Sequence, residues 1–331
     1  MRALALLLLS VAAYAQPCIT ATDACTGWIT LAGGPSRSLI YRTYSLDSVN
    51  TKITRALIVI HGTNRDADNY FRNALAAAFL GAALDDSVVI VPRIASNDGR
   101  GCQDKLAANE VSYSCNGNSW RSGGVSSKNP DLTSFDFVDE ILRKLARKEA
   151  FPNLKAIVVA GHSAGGQFVT RYEMSNRVHE TLGLPVSYVV ANPSSYAYLD
   201  KTRPAGEKAD SFRVFGDGRN CTTYDQWPYG LEGRAGYAAK QTDDQLQKQL
   251  ASRPTTYLLG EIDILPLGGF DSSCPAMAQG PTRRARGEAF VKYIKEKFGA
   301  NPKMQIVSEC GHNARCMFTS EEALPILFPK P

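Results

Sequence analysis

The sequence predicts an α/β protein, a doubly wound and mostly parallel sheet, and three observations carry that reading. Short apolar, β-branched runs recur without polar alternation, as strands covered on both faces require. Segments with helical periodicity separate them, the order expected of βαβ units. The chain has 331 residues, 44% of them hydrophobic, enough to fill the large core such a sheet needs.

The elements follow in order. Residues 39–46 (LIYRTYSL) alternate with a period of two and are expected to form an antiparallel edge strand. Buried strands are expected at 55–61 (RALIVIH), 87–92 (SVVIVP), 154–160 (LKAIVVA), 185–191 (PVSYVVA) and 254–259 (PTTYLL), with a last strand at 303–308 (KMQIVS). Helical patterns occupy about 67–84, 133–148, 164–179 and 283–298, with a weaker one at 242–251. Two long segments, 93–132 and 193–250, interrupt the alternation and read as lid-like insertions. No repeat or low-complexity linker divides the chain, so residues 16–331 are expected to form a single domain.

The first fifteen residues read as a signal peptide. Arg2 precedes an apolar run at 3–12, and Ala13-Tyr14-Ala15 fits the small-x-small cleavage rule, leaving Gln16 as the first mature residue. The run is shorter than the roughly 20 residues of a membrane anchor. All eight cysteines lie beyond it, an even number that reads as four disulfides in an exported chain, extracellular or periplasmic. Local spacing favours Cys18 with Cys25, Cys102 with Cys115 and Cys310 with Cys316, leaving Cys221 and Cys274 to pair by default. A cysteine metal site is disfavoured, because no clustered C-x-x-C pairs occur. A formal charge of +5 and a pI near 8.7 give no dense basic stripe, so neither nucleic acid nor a membrane is expected as a partner. The one basic run, Arg283-Arg284-Ala285-Arg286, opens a helical pattern and reads as a solvated face.

The chemistry concentrates in four strings. Gly161-His162-Ser163-Ala164-Gly165-Gly166 stands between a buried strand and a helix, where a sharp turn exposes the serine and only small neighbours let strand and helix approach. Ser163 is therefore the expected nucleophile. A hydroxyl needs a base, and of four histidines His312 sits in a loop directly after the last strand, bracketed by Cys310 and Cys316. A carboxylate must orient that base. Asp263 follows the strand 254–259 and is the preferred acid, with Glu261, Asp271 and Asp243 as alternatives. The strand 55–60 runs into His61-Gly62-Thr63-Asn64, and the backbone N–H groups of Thr63 and Ala164 are expected to form the oxyanion hole.

Together, HGTN, GHSAGG, GEID and GHNARC, in this order over roughly residues 35–328, resemble the α/β-hydrolase superfamily. Within it the chain resembles secreted esterases of the feruloyl-esterase and polyhydroxybutyrate-depolymerase kind. The resemblance implies an acyl-enzyme mechanism without metal or cofactor, acting on a small-molecule or polymeric ester. The two insertions have no counterpart in that pattern and are expected to select the substrate. An amidase or peptidase working on polypeptide or anionic polymer amides uses the same machinery. A binding module that has lost catalysis would lack a triad member, and none is missing here.

Overall fold

Strands form where the apolar runs predict them. The computed structural model describes residues 16–99, 102–115, 119–206, 209–216 and 220–330; the expected leader at 1–15 lies outside the described residues. The strands are β1 (Thr26–Thr30), β2 (Arg37–Arg42), β3 (Arg55–Ile60), β4 (Ser87–Pro92), β5 (Ala156–His162), β6 (Val186–Ala191), β7 (Thr202–Ala205), β8 (Ser211–Val214), β9 (Thr255–Gly260) and β10 (Lys303–Val307). The helices are α1 (Ala67–Leu80), α2 (Ser134–Leu145), α3 (Ala164–Ser175), α4 (Asp243–Ser252), α5 (Cys274–Met277), α6 (Arg283–Phe298), α7 (Ala314–Thr319) and α8 (Leu324–Leu327).

Eight strands make one sheet in the order β1-β2-β4-β3-β5-β6-β9-β10, and β7 and β8 pair separately as a hairpin. β1 and β2 are antiparallel to their neighbours, and the rest of the sheet is parallel. The period of two explains the uninterrupted apolar runs. In β3, Ala56, Ile58 and Ile60 pack on one side with Phe135, Phe168 and Phe290, whereas Leu57 and Val59 pack on the other with Phe71, Phe318 and Leu327. Helices α2, α3 and α6 thus cover one face, and α1, α7 and α8 the other.

The structure departs from the sequence reading at the sheet's edge. The strand expected at 39–46 runs from Arg37 to Arg42 and is second in the sheet, because β1 pairs outside it with Trp28 opposite Leu39. β1 (TGWIT) carries too little apolar character to stand out; only Ile29 in it is fully buried. Helix α3 stops at Ser175 rather than 179. The Asn176 carboxamide accepts the Val178 and His179 N–H groups and turns the chain, leaving His179 against the Tyr188 hydroxyl at 2.9 Å.

Described residues of both insertions pack onto the body of the protein. In 93–132, Tyr113 stacks on Phe137 and Trp120 sits 5.2 Å from the His61 ring, both buried. In 193–250, Tyr196 and Tyr198 pack against Phe290. Four disulfides join Cys18 to Cys25, Cys102 to Cys115, Cys221 to Cys274 and Cys310 to Cys316.

Candidate active site

The strings singled out in the sequence meet at the C-terminal edge of the parallel strands, where open α/β sheets bind ligands. β5 ends at His162, and Ser163 makes the turn into α3 with φ 60° and ψ −119°, a strained conformation for a residue with a Cβ. Close approach around the turn demands glycine. A Cβ on Gly161 would lie 2.2 Å from the Gly165 carbonyl oxygen, and one on Gly165 would lie 2.1 Å from that of Ile60. Both obstacles are backbone and cannot rotate away.

Ser163 Oγ lies 2.9 Å from His312 Nε2, and His312 Nδ1 lies 2.9 Å from Asp263 Oδ2. With Nδ1–H donating to the Asp263 carboxylate, Nε2 is the ring nitrogen left to accept from the serine hydroxyl. Asp263 is fully buried, Ser163 is buried at 7% exposure, and His312 between them is part-buried, so the contact line is shielded most strongly at the acid. The other carboxylates weighed from the sequence are engaged elsewhere. Glu261 accepts the Glu309 N–H, Asp271 accepts the Tyr229 hydroxyl, and Asp243 pairs with Arg234.

Backbone contacts hold the two loops together. The Ile262 N–H donates to the Cys310 carbonyl at 3.0 Å, and the Asn192 carboxamide bridges the Gly260 N–H (2.8 Å) and the Gly311 carbonyl (3.2 Å). Asn192 itself adopts a left-handed φ of 45°, a conformation its short polar side chain tolerates.

Thr63 and Ser163 line a cleft of about 570 Å³, together with Gly62, His162, Gly268 and His312. Ala164 opens α3, so its N–H has no acceptor within the helix, and it adjoins the serine. His61, read from the sequence only as the start of the HGTN string, fixes the loop that carries Thr63. Its Nδ1 donates to the Gly62 carbonyl at 3.0 Å and its Nε2 accepts the Ile94 N–H at 3.2 Å, a pattern only the neutral ring satisfies. Burial accordingly pushes its pKa down to about 4. His162 is also held neutral, first by burial and then by the charges of His312 and Arg283; its Nδ1 meets the Tyr70 hydroxyl at 3.1 Å and its ring packs on His312.

The basic run at 283–286 is not a solvated face. Arg283 and Arg286 are fully buried, and only Arg284 of the three reaches solvent. The apolar face of α6 includes Ala289, Phe290, Tyr293 and Ile294, and continuing its helical spacing backwards turns positions 286 and 283 inward. That periodicity was the available signal; the charge of the residues masked it. Among the described residues, no group of three or more His, Cys, Asp or Glu side chains is placed to hold a metal ion.

The sheet order, the strained serine turn and the loops at the strand ends define an α/β-hydrolase fold, and solved structures of that fold match nearly the whole chain. The chain is similar to poly(aspartic acid) hydrolase-1 from Sphingomonas sp. KT-1, with 22% identity and a TM-score of 0.62 over 92% of this chain and 98% of that one. It is similar also to the poly(3-hydroxybutyrate) depolymerase LpqC from Bordetella parapertussis, with 22% identity and a TM-score of 0.61 over 92% of this chain and 90% of that one. No family model matches the chain, and comparison with curated proteins finds no match. Likeness at this level of identity establishes the fold; the activity rests on the site.

Proposed function

We propose that this chain is an exported serine hydrolase that cleaves carboxylic esters through an acyl-enzyme. The observation that carries the reading is the unbroken contact line Ser163–His312–Asp263, at 2.9 Å and 2.9 Å, with the serine on a strained turn beside an open cleft. Ser163 Oγ attacks the ester carbonyl while His312 Nε2 takes its proton, and Asp263 stabilises the imidazolium formed. The Thr63 and Ala164 amides receive the oxyanion. His312 then returns the proton to the leaving alcohol, and a water activated by the same Nε2 releases the acid and restores the serine.

The cleft lining includes Asn64, Asn69, Asn73, Asn313 and Arg315, which supports an ester flanked by hydrogen-bonding groups. Export is supported by four disulfides and by the leader-like residues 1–15. A second reading, hydrolysis of amide bonds in an anionic polymer, is favoured by the shared fold with a protein named poly(aspartic acid) hydrolase and by Arg315 in the cleft lining. Turnover of p-nitrophenyl esters, a polyester oligomer and poly(aspartic acid) by the mature chain separates the two. The ester reading expects the esters to be cleaved and Ser163→Ala to abolish that cleavage. Cleavage of the polyamide alone would transfer the proposal to the second reading.

A further inference from the structure

We infer that Arg283 positions the proposed catalytic acid and couples it to the wall of the cleft, a role that rests on the hydrolase reading above. A buried carboxylate with one partner carries an unmet charge, and Asp263 spends Oδ2 on His312. Its other oxygen, Oδ1, faces Arg283 Nη1 at 3.4 Å, in a pair with side-chain exposures of 1% and 0%. The guanidinium therefore neutralises the carboxylate without competing for the oxygen that the imidazole uses.

The same guanidinium is fixed from two further sides. Nε donates to Ser194 Oγ at 2.7 Å and Nη2 donates to the Gly268 carbonyl at 2.8 Å, with the Phe270 ring 5.2 Å from the guanidinium carbon. A planar fork that engages three directions at once is a property of arginine and not of lysine. Main-chain contacts reinforce the link, since the Arg284 N–H at the start of α6 donates to the Asp263 carbonyl at 3.3 Å.

The Gly268 contact carries the effect into the cleft. A Cβ on Gly268 would lie 3.5 Å from His312 Cδ2, and one on Gly269 would lie 3.4 Å from Thr63 Cγ2. The turn at 268–269 thus runs between the proposed base and the proposed oxyanion loop, and Arg283 ties it to the acid. Loss of Arg283 releases both the acid and that wall, so kcat and KM change together.

The test is a double-mutant cycle on kcat/KM for a p-nitrophenyl ester, using the full mature chain. Arg283→Met is expected to lower kcat/KM by about 10²-fold in the natural background, the scale of a small misplacement of a catalytic group. In the Asp263→Asn background it is expected to cost only about tenfold and mainly in KM, because the acid it acts through has already been disabled while the Gly268 contact is still lost. The acid limb of the pH–rate profile should move to higher pH, since one positive charge opposing protonation of the His312–Asp263 couple is gone. Arg283→Lys should restore the position of that limb better than it restores KM. Equal losses in both backgrounds, with an unmoved acid limb, would show a merely structural arginine and overturn the inference. If Arg283→Met does not fold, Ser194→Ala leaves the arginine in place and removes its Nε acceptor; the same non-additivity is expected, and additivity overturns the inference. Wild-type activity in Asp263→Asn would overturn the triad reading itself and the inference with it.

Discussion

Breaking the Cys310–Cys316 disulfide as Cys310→Ser/Cys316→Ser separates the stability of the His312 loop from its precision. The bridge spans a sequence separation of six with the Cα atoms 5.8 Å apart. A loop that short contributes about 2 kcal/mol by the chain-entropy relation, or a fall in Tm of about 3 °C for a domain of this size. The rate effect is bounded by what else holds the loop. The Ile262 N–H on the Cys310 carbonyl (3.0 Å), Asn192 on the Gly311 carbonyl (3.2 Å) and the Asn313 side chain on the Cys316 N–H (3.0 Å) all survive the change. With these three in place His312 should shift by a fraction of an ångström, and kcat/KM should fall about tenfold, short of the roughly 10²-fold of a full ångström. Thermal unfolding, and ester turnover well below the midpoint, measure the two effects. Unchanged kcat/KM with a lowered midpoint would refute a positioning role for the bridge.

Two further perturbations follow from the packing. Gly165→Ala sets a methyl group 2.1 Å from the Ile60 carbonyl oxygen and 2.7 Å from that of His61, so α3 must move off β3; a loss of about 3 kcal/mol and failure of fluorophosphonate labelling are expected, checked by denaturant unfolding and gel fluorescence. Glu173 is buried against the Thr255 and Tyr257 hydroxyls, and burial raises its pKa to about 8. Because the folded pKa lies above the ordinary value of 4.5, the fold favours the protonated form, and stability is lost as pH rises from about 4.5 towards 8. Glu173→Gln should therefore match the wild type near pH 4 and exceed it by a few kcal/mol at pH 8; equal midpoints at both pH values would contradict this.

Sequence reading reached the parallel core because β3, β5, β6 and β9 are apolar on both faces, a pattern that survives without neighbours. It reached Ser163, Asp263 and His312 as a group because each follows a strand end in chain order, and the structure brings all three together. It missed β1, whose residues are half exposed and which is recognisable only by its pairing with β2. His61 was read only as part of the HGTN turn, because its bond to the Ile94 N–H, 33 positions away, leaves no local sequence signal. Arg283 and Arg286 were misplaced for a different reason. Charge implies solvent only where no buried partners exist, and here the partners lie from 6 to 92 positions away.

The central claim is that Ser163 becomes acylated with His312 and Asp263 as its activating pair. Intact-mass and peptide-mass analysis of the mature chain mixed rapidly with p-nitrophenyl acetate tests it directly. One acetyl group should appear on the peptide containing Ser163, in step with a burst of one equivalent of p-nitrophenol. The adduct should be absent from Ser163→Ala and should form about 10⁴-fold more slowly in Asp263→Asn. Acetylation of another residue at the same rate, or a burst that persists in Ser163→Ala, would contradict the account.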